Sequence, residues 1–381
     1  MPLMAALLAI VLAVGYFIHA ERISLFYRMH VRAPLTATCS RTPPEWFSLL
    51  TEWAARHDVG GLQVHARIGQ ATYDCGFGSA LIADGSEESM TAETTIPYAS
   101  LTKVLTSAFA LRQAQLGSVS IDANVSEALA LDELALRDPD KWEKITLEML
   151  LMHRAGFDRA ISGDSMSWRQ PPCPDNLEGL RNVPIDFEPG RGFAYSNLGY
   201  CLAALVLERA AGKDFSAMLR TELLDPLGLP FLELASLDDL RAHRVALRVQ
   251  HLADEEHLRM IDWRALAGVG NLAGTAHDFG KFLRELLNGS GALGEVGDRL
   301  MTPLPNCDET RWRRCHGLAF YSHRGAGRRR MFWRDGSQPG VTAFAAVTET
   351  GDVFVLLGNG RDPAKWLSIH DELGRIVYDH L

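Results

Sequence analysis

The chain has 381 residues, of which 47% are hydrophobic and 22% are charged, so it carries enough apolar material for a large core. This length and composition exclude a small disulfide scaffold, a disordered chain and a collagen-like chain. The net charge of −9 argues against nucleic-acid binding as the main function. Six cysteines without any C-x-x-C pair argue against a structural zinc site built from cysteine.

The amino-terminal segment differs from the rest of the chain because residues 1–20 carry no charged side chain. A helix of about 20 residues rises ~30 Å, enough to cross a bilayer. We predict that residues 1–20 are a transmembrane anchor or a cleaved signal segment, with a buried helix as a third alternative, and that residues 21–44 are a linker. In an anchored protein, Arg22, Arg28 and Arg32 would favour a cytoplasmic position for the domain that they precede.

The remaining chain is predicted to be an α+β domain over residues 45–381. Strands are indicated near its two ends, and a long helical and irregular region lies between them. This order predicts one sheet built from both ends of the chain, with a helical region inserted into it. The predicted elements are a helix over Glu45–Ala55, strands over Gly61–Ile68 and Ala71–Phe77, a hairpin of Val341–Val347 with Val353–Leu357, and a helix over Lys365–Leu381.

The sequence SLTK, from Ser100 to Lys103, is the single S-x-x-K in the chain. It precedes an apolar pattern at helical spacing that ends at Gly117, so Ser100 is expected at the start of a helix. Residues i and i+3 share a helix face, which brings the amine within reach of the hydroxyl. A desolvated lysine gives up its proton more readily and can act as a base. The alternative is a capping serine followed by an exposed lysine.

Two further segments carry candidate site residues. Tyr195 and Asn197 lie on a turn before a second apolar helix that ends at Gly212, where the phenol could share a proton and the amide could hold a carbonyl. The segment RDGS, Arg334–Ser337, precedes the late hairpin, and glycine at the end of an edge strand permits close backbone approach. A core tyrosine, a capping asparagine and an ordinary turn are the alternatives.

These three segments, in this order, resemble the serine β-lactamase and DD-peptidase superfamily, and within it the class C β-lactamase-related branch. SLTK matches Ser-x-x-Lys, YSN matches Tyr-x-Asn, and RDGS stands where Lys-Thr-Gly or His-x-Gly is usual. Three flanking stretches, ITLEMLLMHRAG, FEPGRGFAYSNLGY and GVGNLAGTAHDFGKFL, are also similar. The resemblance implies a β-lactamase/transpeptidase-like fold, with an antiparallel sheet flanked by helices and an inserted, mainly helical region.

The resemblance implies a catalytic role for three residues. Ser100 would be the acylated nucleophile and Lys103 its proton acceptor. Tyr195 would relay the proton to the leaving group and activate the water that removes the acyl group. The backbone amides of Ser100 and Ser337 would form an oxyanion hole.

The resemblance implies substrate binding by Asn197, Arg334, Gly336 and Ser337. Two departures from the family pattern matter here. Arg334 stays protonated at any working pH, so it cannot act as a general base in place of the usual lysine or histidine. Asp335 puts a carboxylate where a small hydroxyl is typical, which disfavours β-lactams that carry a carboxylate of their own.

We therefore expect a serine hydrolase that acts through an acyl-enzyme on an ester, an amide or D-amino-acid peptide, or a β-lactam, without metal or cofactor. The domain is expected to be membrane-anchored and extracytoplasmic. One alternative is a catalytically silent penicillin-binding-like protein that binds cell-wall peptides or acts as a sensor. Another is an esterase tethered on the cytoplasmic side.

Four other features receive simpler interpretations. The pattern G-x-G-x-x-A at Gly268–Ala273 lacks a surrounding βαβ unit, which disfavours nucleotide binding. His153 is interpreted as a structural hydrogen-bonding residue. The eight arginines of Arg311–Arg334 are expected in a solvated loop, with anion, lipid or nucleic-acid recognition as alternatives. Cys307 and Cys315 are close enough in sequence to bridge, whereas the other four cysteines remain unassigned.

Overall fold

A nine-stranded antiparallel sheet forms the centre of the described part of the chain, in the strand order β1-β3-β2-β12-β11-β10-β9-β8 with β4 beside β3. The computed structural model describes residues 15–16, 20, 23, 37–161, 163–164, 170–249, 252–289, 293–361 and 366–381. A small sheet of order β5-β7-β6 lies apart from it. The strands are β1 (Thr38–Cys39), β2 (Gly61–Ile68), β3 (Ala71–Leu81), β4 (Glu87–Ser89), β5 (Ile96–Pro97), β6 (Leu232–Glu233), β7 (Leu272–Gly274), β8 (Cys315–His316), β9 (Tyr321–His323), β10 (Met331–Gln338), β11 (Val341–Thr348) and β12 (Val353–Asn359).

Helices cover both faces of the large sheet, and most of them lie in the middle of the sequence. Within the described residues they are α1 (Phe47–Arg56), α2 (Thr102–Gln115), α3 (Val125–Ala128), α4 (Pro139–Trp142), α5 (Leu147–Leu151), α6 (Asn197–Ala211), α7 (Phe215–Leu219), α8 (Leu237–Ala242), α9 (Leu252–Met260), α10 (Ala276–Asn288), α11 (Val296–Leu300) and α12 (Trp366–His380). The α+β class predicted from the sequence is confirmed.

The sheet is built from both ends of the described domain, as the order of predicted strands implies. Strand β2 pairs along its length with β12, so that Val64 lies opposite Leu356 although nearly the whole domain separates them in sequence. The hairpin β11–β12 occupies the centre of the sheet. Strands from the two ends of the domain therefore lie side by side in the sheet, and the inserted helical region packs against them.

Two apolar cores follow from the alternation of side chains along these strands. On one face Val64, Phe354 and Leu356 pack against α1 and α12, which are joined by a hydrogen bond from Trp53 Nε1 to the carbonyl of Ile369 at 2.9 Å. On the other face the helical region packs against the sheet, and α2 is buried along nearly its whole length. Helix α2 is therefore held in a fixed position against the sheet.

The arginine-rich segment differs from the prediction of a solvated loop. It contains β8, β9 and the start of β10, and its side chains are engaged in ion pairs. Arg330 Nε donates to Glu309 at 2.7 Å, and Arg329 Nη1 donates to Asp352 at 2.9 Å. The expectation was wrong because acidic residues outside the segment offset these charges, and its backbone pairs within the sheet as β8, β9 and the start of β10.

Three disulfides account for all six cysteines, including the predicted pair Cys307–Cys315. The other two are Cys39–Cys75 and Cys173–Cys201. Cys39 belongs to β1, so part of the stretch predicted as a linker is bonded to the sheet. None of the helices in the described residues is long and apolar enough to cross a bilayer. Apart from residues 15, 16 and 20, the predicted anchor or signal segment lies outside those residues.

Candidate active site

Ser100 lies in a tight turn at the start of α2. A 3₁₀ turn, Ala99–Leu101, leads directly into the helix, and Ala99 has a left-handed φ of 48°. Such backbone conformations are costly for non-glycine residues and occur mostly at functional sites. Strand β10 passes very close to this turn: a Cβ on Gly336 would lie 2.7 Å from the carbonyl oxygen of Tyr98 and 3.0 Å from the amide nitrogen of Ser100. Only glycine permits this approach, as expected from the sequence.

Lys103 and Tyr195 converge on the hydroxyl of Ser100. The Oγ of Ser100 lies 2.6 Å from the Oη of Tyr195, and Lys103 Nζ donates to the same Oγ at 3.1 Å. Lys103 Nζ also donates to the carbonyl of Val269 at 2.8 Å, which fixes the direction of the amine. The i, i+3 spacing supplies the first contact, whereas Tyr195 comes from the turn before α6. The structure thus brings the three predicted catalytic residues together.

The surroundings lower the pKa of both the Lys103 amine and the Tyr195 phenol. Burial lowers the pKa of Lys103 to about 8, because the ammonium loses its hydration. Burial alone would raise the pKa of Tyr195, but the positive charges of Lys103, Arg334 and Arg159 outweigh it and leave that pKa below its usual value. The guanidinium carbons of Arg159 and Arg334 lie 4.6 and 5.2 Å from the centre of the tyrosine ring. The hydroxyl of Ser100 is therefore in contact with two groups whose pKa values are both lowered.

Behind Tyr195 lies the buried side chain of Arg334. Its Nη1 donates to His316 Nε2 at 2.8 Å and to the carbonyl of Ala319 at 3.3 Å, and its Nη2 lies 3.4 Å from His153 Nε2. Burial holds the pKa of both histidines well below the usual range, so both imidazoles are neutral. Within the described residues Arg334 makes no salt bridge with a carboxylate, so its charge acts on the adjacent phenol ring.

Neighbouring residues of β10 point to opposite faces of the sheet, so Arg334 and Asp335 have different surroundings. Arg334 is fully buried and does not line the cavity above Ser100, whereas Asp335 and Ser337 do. The carboxylate of Asp335 accepts a hydrogen bond from Arg313 Nη2 at 2.8 Å. Burial alone would raise the pKa of Asp335, but Arg313 and other nearby positive charges hold it well below the usual range. The cavity wall thus holds a charged pair, not a bare carboxylate.

A cavity of about 380 Å³ opens beside Ser100 and Tyr195. On its wall Arg159 forms an ion pair with Asp164 at 3.3 Å, and Asn197 Nδ2 donates to the same carboxylate at 2.8 and 3.0 Å. Asn197 itself is buried and lies behind the wall, with no partner for its Oδ1 among the described residues. The lining residues are Ser100, Arg159, Asp164, Tyr195, His257, Arg313, Tyr321, Asp335, Ser337, Gln338, Arg361 and Leu367.

Several residues of the site have no signal in the sequence. Arg361 reaches the cavity from a segment without a motif, and its Nη1 donates to Ser337 Oγ at 3.1 Å. Arg313 lies in the arginine-rich segment, for which anion recognition was one alternative. The Val269 carbonyl lies in a stretch marked by resemblance, but nothing there indicates a contact with the lysine. His153 accepts a hydrogen bond at Nδ1 from the Ser196 amide at 3.1 Å, in agreement with its interpretation as a structural residue.

Comparison with known proteins assigns the family. A family model described as Beta-lactamase matches residues 48–376, most of the chain. The chain belongs to the Beta-lactamase family. The two ends of the matched region contribute the strands that meet in the sheet, so the family assignment covers the whole site.

Relatives of this Beta-lactamase-family chain are named for different functions. It is 32% identical to a Dichelobacter nodosus protein named for fimbrial assembly (FimD, serogroup D), over 71% of this chain and 68% of the relative. It is 29% identical to a lovastatin esterase from Penicillium rubens, over 59% of this chain and 63% of the esterase. The structure of D-amino acid amidase from Ochrobactrum anthropi SV3 with D-phenylalanine has a TM-score of 0.68 and 19% identity, covering 86% of this chain and 95% of that one. That likeness shows the fold alone.

Proposed function

We propose that this Beta-lactamase-family chain is a serine hydrolase that works through an acyl-enzyme on Ser100. The observation that carries the proposal is the convergence of Lys103 Nζ and Tyr195 Oη on Ser100 Oγ, at 3.1 and 2.6 Å. A nucleophilic hydroxyl in contact with two proton acceptors, one of them a desolvated lysine, is the arrangement that acyl transfer requires. The esterases among its relatives support the same reaction class.

The chemistry follows from these contacts. Ser100 Oγ attacks the acyl carbon of an ester or amide, and its proton passes to the Lys103–Tyr195 pair. The pair returns this proton to the departing alcohol or amine as the bond to the acyl carbon breaks. Water then attacks the acyl-enzyme, loses a proton to the same pair and releases the acid, which restores Ser100.

Substrate binding is assigned to the residues near this hydroxyl. The backbone amides of Ser100 and Ser337 would stabilise the oxyanion, and the close approach of Gly336 to the Ser100 amide supports that pairing. Asn197 would act through Asp164, which it holds by two hydrogen bonds at the cavity wall. Because Arg334 is fully buried, we assign it to tuning the proton affinity of Tyr195 and not to substrate contact.

We propose esters as the preferred substrates, ahead of β-lactams. The carboxylate of Asp335 lines the cavity and pairs with Arg313, which also contacts Asp371, so carboxylates of the protein offset the charge of this arginine. The carboxylate of a β-lactam would therefore gain little from Arg313. A neutral acyl ester needs no cation at this position.

We propose that the catalytic domain lies outside the cytoplasm. Three disulfides that use all six cysteines are typical of oxidising compartments. The membrane anchor or signal over residues 1–20 remains a prediction from the sequence. A reporter that is active only in the periplasm, fused after Leu381, tests the proposal. An expressed but silent reporter would contradict it.

The reaction is tested by labelling with a fluorescent fluorophosphonate, followed by hydrolysis of p-nitrophenyl esters and of nitrocefin. We expect labelling of wild-type protein at one site, loss of labelling in Ser100→Ala, and faster turnover of the esters than of nitrocefin. Absence of both labelling and turnover in folded wild-type protein would instead support a silent binding protein. Fast nitrocefin turnover would contradict the proposed substrate preference alone.

A further inference from the structure

We propose that His65, Asp74 and His277 form a binding site for one divalent transition-metal ion, for which Zn²⁺ is the best match. These three residues lie on β2, β3 and the first turn of α10. None of them lines the cavity above Ser100, so the proposal is independent of the proposed hydrolase activity. The cysteine-based zinc site that the sequence disfavours is a different arrangement, since this one uses no cysteine.

The three potential ligand atoms already converge. His65 and Asp74 are direct partners across β2 and β3, and His65 Nδ1 lies 2.7 Å from Asp74 Oδ1. His277 Nδ1 lies 3.1 Å from the same oxygen, and the three ligand atoms all lie within 4.8 Å of one another. Zinc binds nitrogen and oxygen at about 2.0–2.2 Å, which places tetrahedral ligands roughly 3.4 Å apart. An ion at this spacing would require His65 Nδ1 and Asp74 Oδ1, now 2.7 Å apart, to separate by about 0.7 Å, and the two imidazole nitrogens to move to a similar spacing.

The ring of His65 is held in the orientation that the site needs. A Cβ on Gly280 of α10 would lie 2.1 Å from His65 Cδ2 and 2.5 Å from its Nε2. The helix therefore presses against the Nε2 side of this buried ring, and Nδ1 is turned toward Asp74. Because the orientation is fixed before any ion arrives, little conformational entropy would be lost on binding.

The charge of the site also favours a cation. Asp74 contributes a carboxylate oxygen that lies 2.7 Å from His65 Nδ1 and 3.1 Å from His277 Nδ1. Asp74 and His277 border a surface cavity that Glu93 and Asp278 also line. An ion held by three protein ligands would keep an open position toward this cavity for water. Two imidazole nitrogens and one carboxylate are a donor set suited to zinc.

Competing sites are few in the described part of the chain. All six cysteines are in disulfides, and no other group of three histidine, cysteine or acidic residues is arranged to hold an ion among the described residues.

The bound ion would connect β2 and β3 to the first turn of α10. The carbonyl of Thr275, just before that turn, accepts a hydrogen bond from Tyr98 Oη at 2.9 Å. The ion would thus stabilise the position of Thr275, which contacts Tyr98 in the segment that leads to Ser100.

The test uses the full-length protein, stripped of metal with a chelator and then titrated with Zn²⁺ by calorimetry and with Co²⁺ by visible absorption. We expect one equivalent to bind and the Tm to rise by about 3–4 °C at a zinc concentration one hundred times the dissociation constant. His277→Ala and Asp74→Asn should each weaken binding at least about tenfold. The metal-free Tm of His277→Ala, whose side chain is half exposed, shows whether the variant is folded.

Two control variants test whether zinc binds at this cluster and not elsewhere on the protein. His243→Ala removes an exposed histidine outside the cluster and should bind zinc like the wild-type protein. Ser100→Ala should also bind zinc normally, which separates this site from the proposed active site. The proposal is overturned if no saturable binding of one equivalent occurs, or if His277→Ala and Asp74→Asn both retain wild-type affinity.

Discussion

The phenol oxygen of Tyr195 lies 2.6 Å from the hydroxyl oxygen of Ser100, although 95 positions separate the two residues. The tyrosine ring is in turn surrounded by Lys103, Arg159 and Arg334, each within 5.3 Å of its centre. Three cations around one phenol stabilise its anionic form. The mobile proton of the site is therefore shared among Ser100, Lys103 and Tyr195. The proton affinities of these residues depend on charges contributed by distant segments.

The first prediction concerns the hydroxyl of Tyr195. Tyr195→Phe should reduce kcat for p-nitrophenyl esters by about 10³-fold, because a positioned proton-transfer group contributes roughly 10²–10⁴-fold. The ring and its packing are retained, so the Tm should change little. The matched control is Tyr73→Phe on β3, a residue that does not line the cavity, which should leave kcat unchanged. Activity of Tyr195→Phe within twofold of wild type would contradict the assigned role.

The second prediction is the pH dependence of ester hydrolysis. The pKa of Lys103 is lowered to about 8, and the lysine serves as a base in its neutral form. The value of kcat/KM should therefore be low at pH 6, rise with pH and level off above pH ~8. The apparent pKa of this rise belongs to the coupled lysine–tyrosine pair. Initial rates across this range, corrected for spontaneous hydrolysis, provide the measurement. A rising limb near pH 6 would indicate a histidine base instead.

The third prediction concerns the buried charge of Arg334. Its positive charge lowers the pKa of both Lys103 and Tyr195, so Arg334→Met should move the rising limb of the pH profile upward by about one to two units. The stability should fall by about 1–3 kcal/mol, because the acceptor His316 Nε2 loses its donor.

Arg334→Lys provides the matched comparison for this prediction. Because the lysine retains the charge, it should shift the pH profile much less than methionine does. An unchanged profile in a folded Arg334→Met protein would show that the arginine has only a structural role.

The fourth prediction concerns substrate preference. In Asp335→Ser the negative charge is removed and Arg313 loses one of its carboxylate partners, while its contact with Asp371 remains. The ratio of nitrocefin to ester turnover should rise about tenfold, equivalent to about 1.4 kcal/mol of charge interaction. Steady-state kinetics on both substrates measure the ratio. A ratio that stays the same or falls would show that Asp335 does not select against anionic substrates.

The fifth prediction concerns the disulfide Cys173–Cys201. It closes a loop of 28 residues that contains Tyr195 and Asn197, so replacing both cysteines with alanine should lower the free energy of unfolding by about 3 kcal/mol. Activity should fall as well, because the loop positions the phenol. Replacing Cys39 and Cys75 in the same way should lower stability but leave kcat/KM unchanged. Urea denaturation and ester kinetics separate the two effects, and equal kinetic losses in both variants would contradict this prediction.

Elements with strong local patterns were predictable. Strand β2 has the bounds Gly61–Ile68 that its apolar run indicates, and the hairpin of β11 and β12 follows from two apolar runs with a turn between them. The segment Arg311–Arg334 was misinterpreted because its composition resembles a solvated loop. Its strand residues are stabilised by acidic partners such as Glu309, which pairs with Arg330. No local pattern could reveal such partners.

The sequence by itself determined which residues could carry the chemistry, because S-x-x-K, Y-x-N and RDGS are local patterns that keep their order and spacing in any folded form. The tertiary structure alone decided which way their side chains face. The register between β10 and β11 directs Arg334 toward the helical core and Asp335 toward the cavity, and it sets Gly336 against the Ser100 amide. The β10–β11 register is local, but the burial of Arg334 beside His153 and the approach of Gly336 to Ser100 join segments more than a hundred residues apart, so the proton affinities of Lys103 and Tyr195 depend on the whole fold.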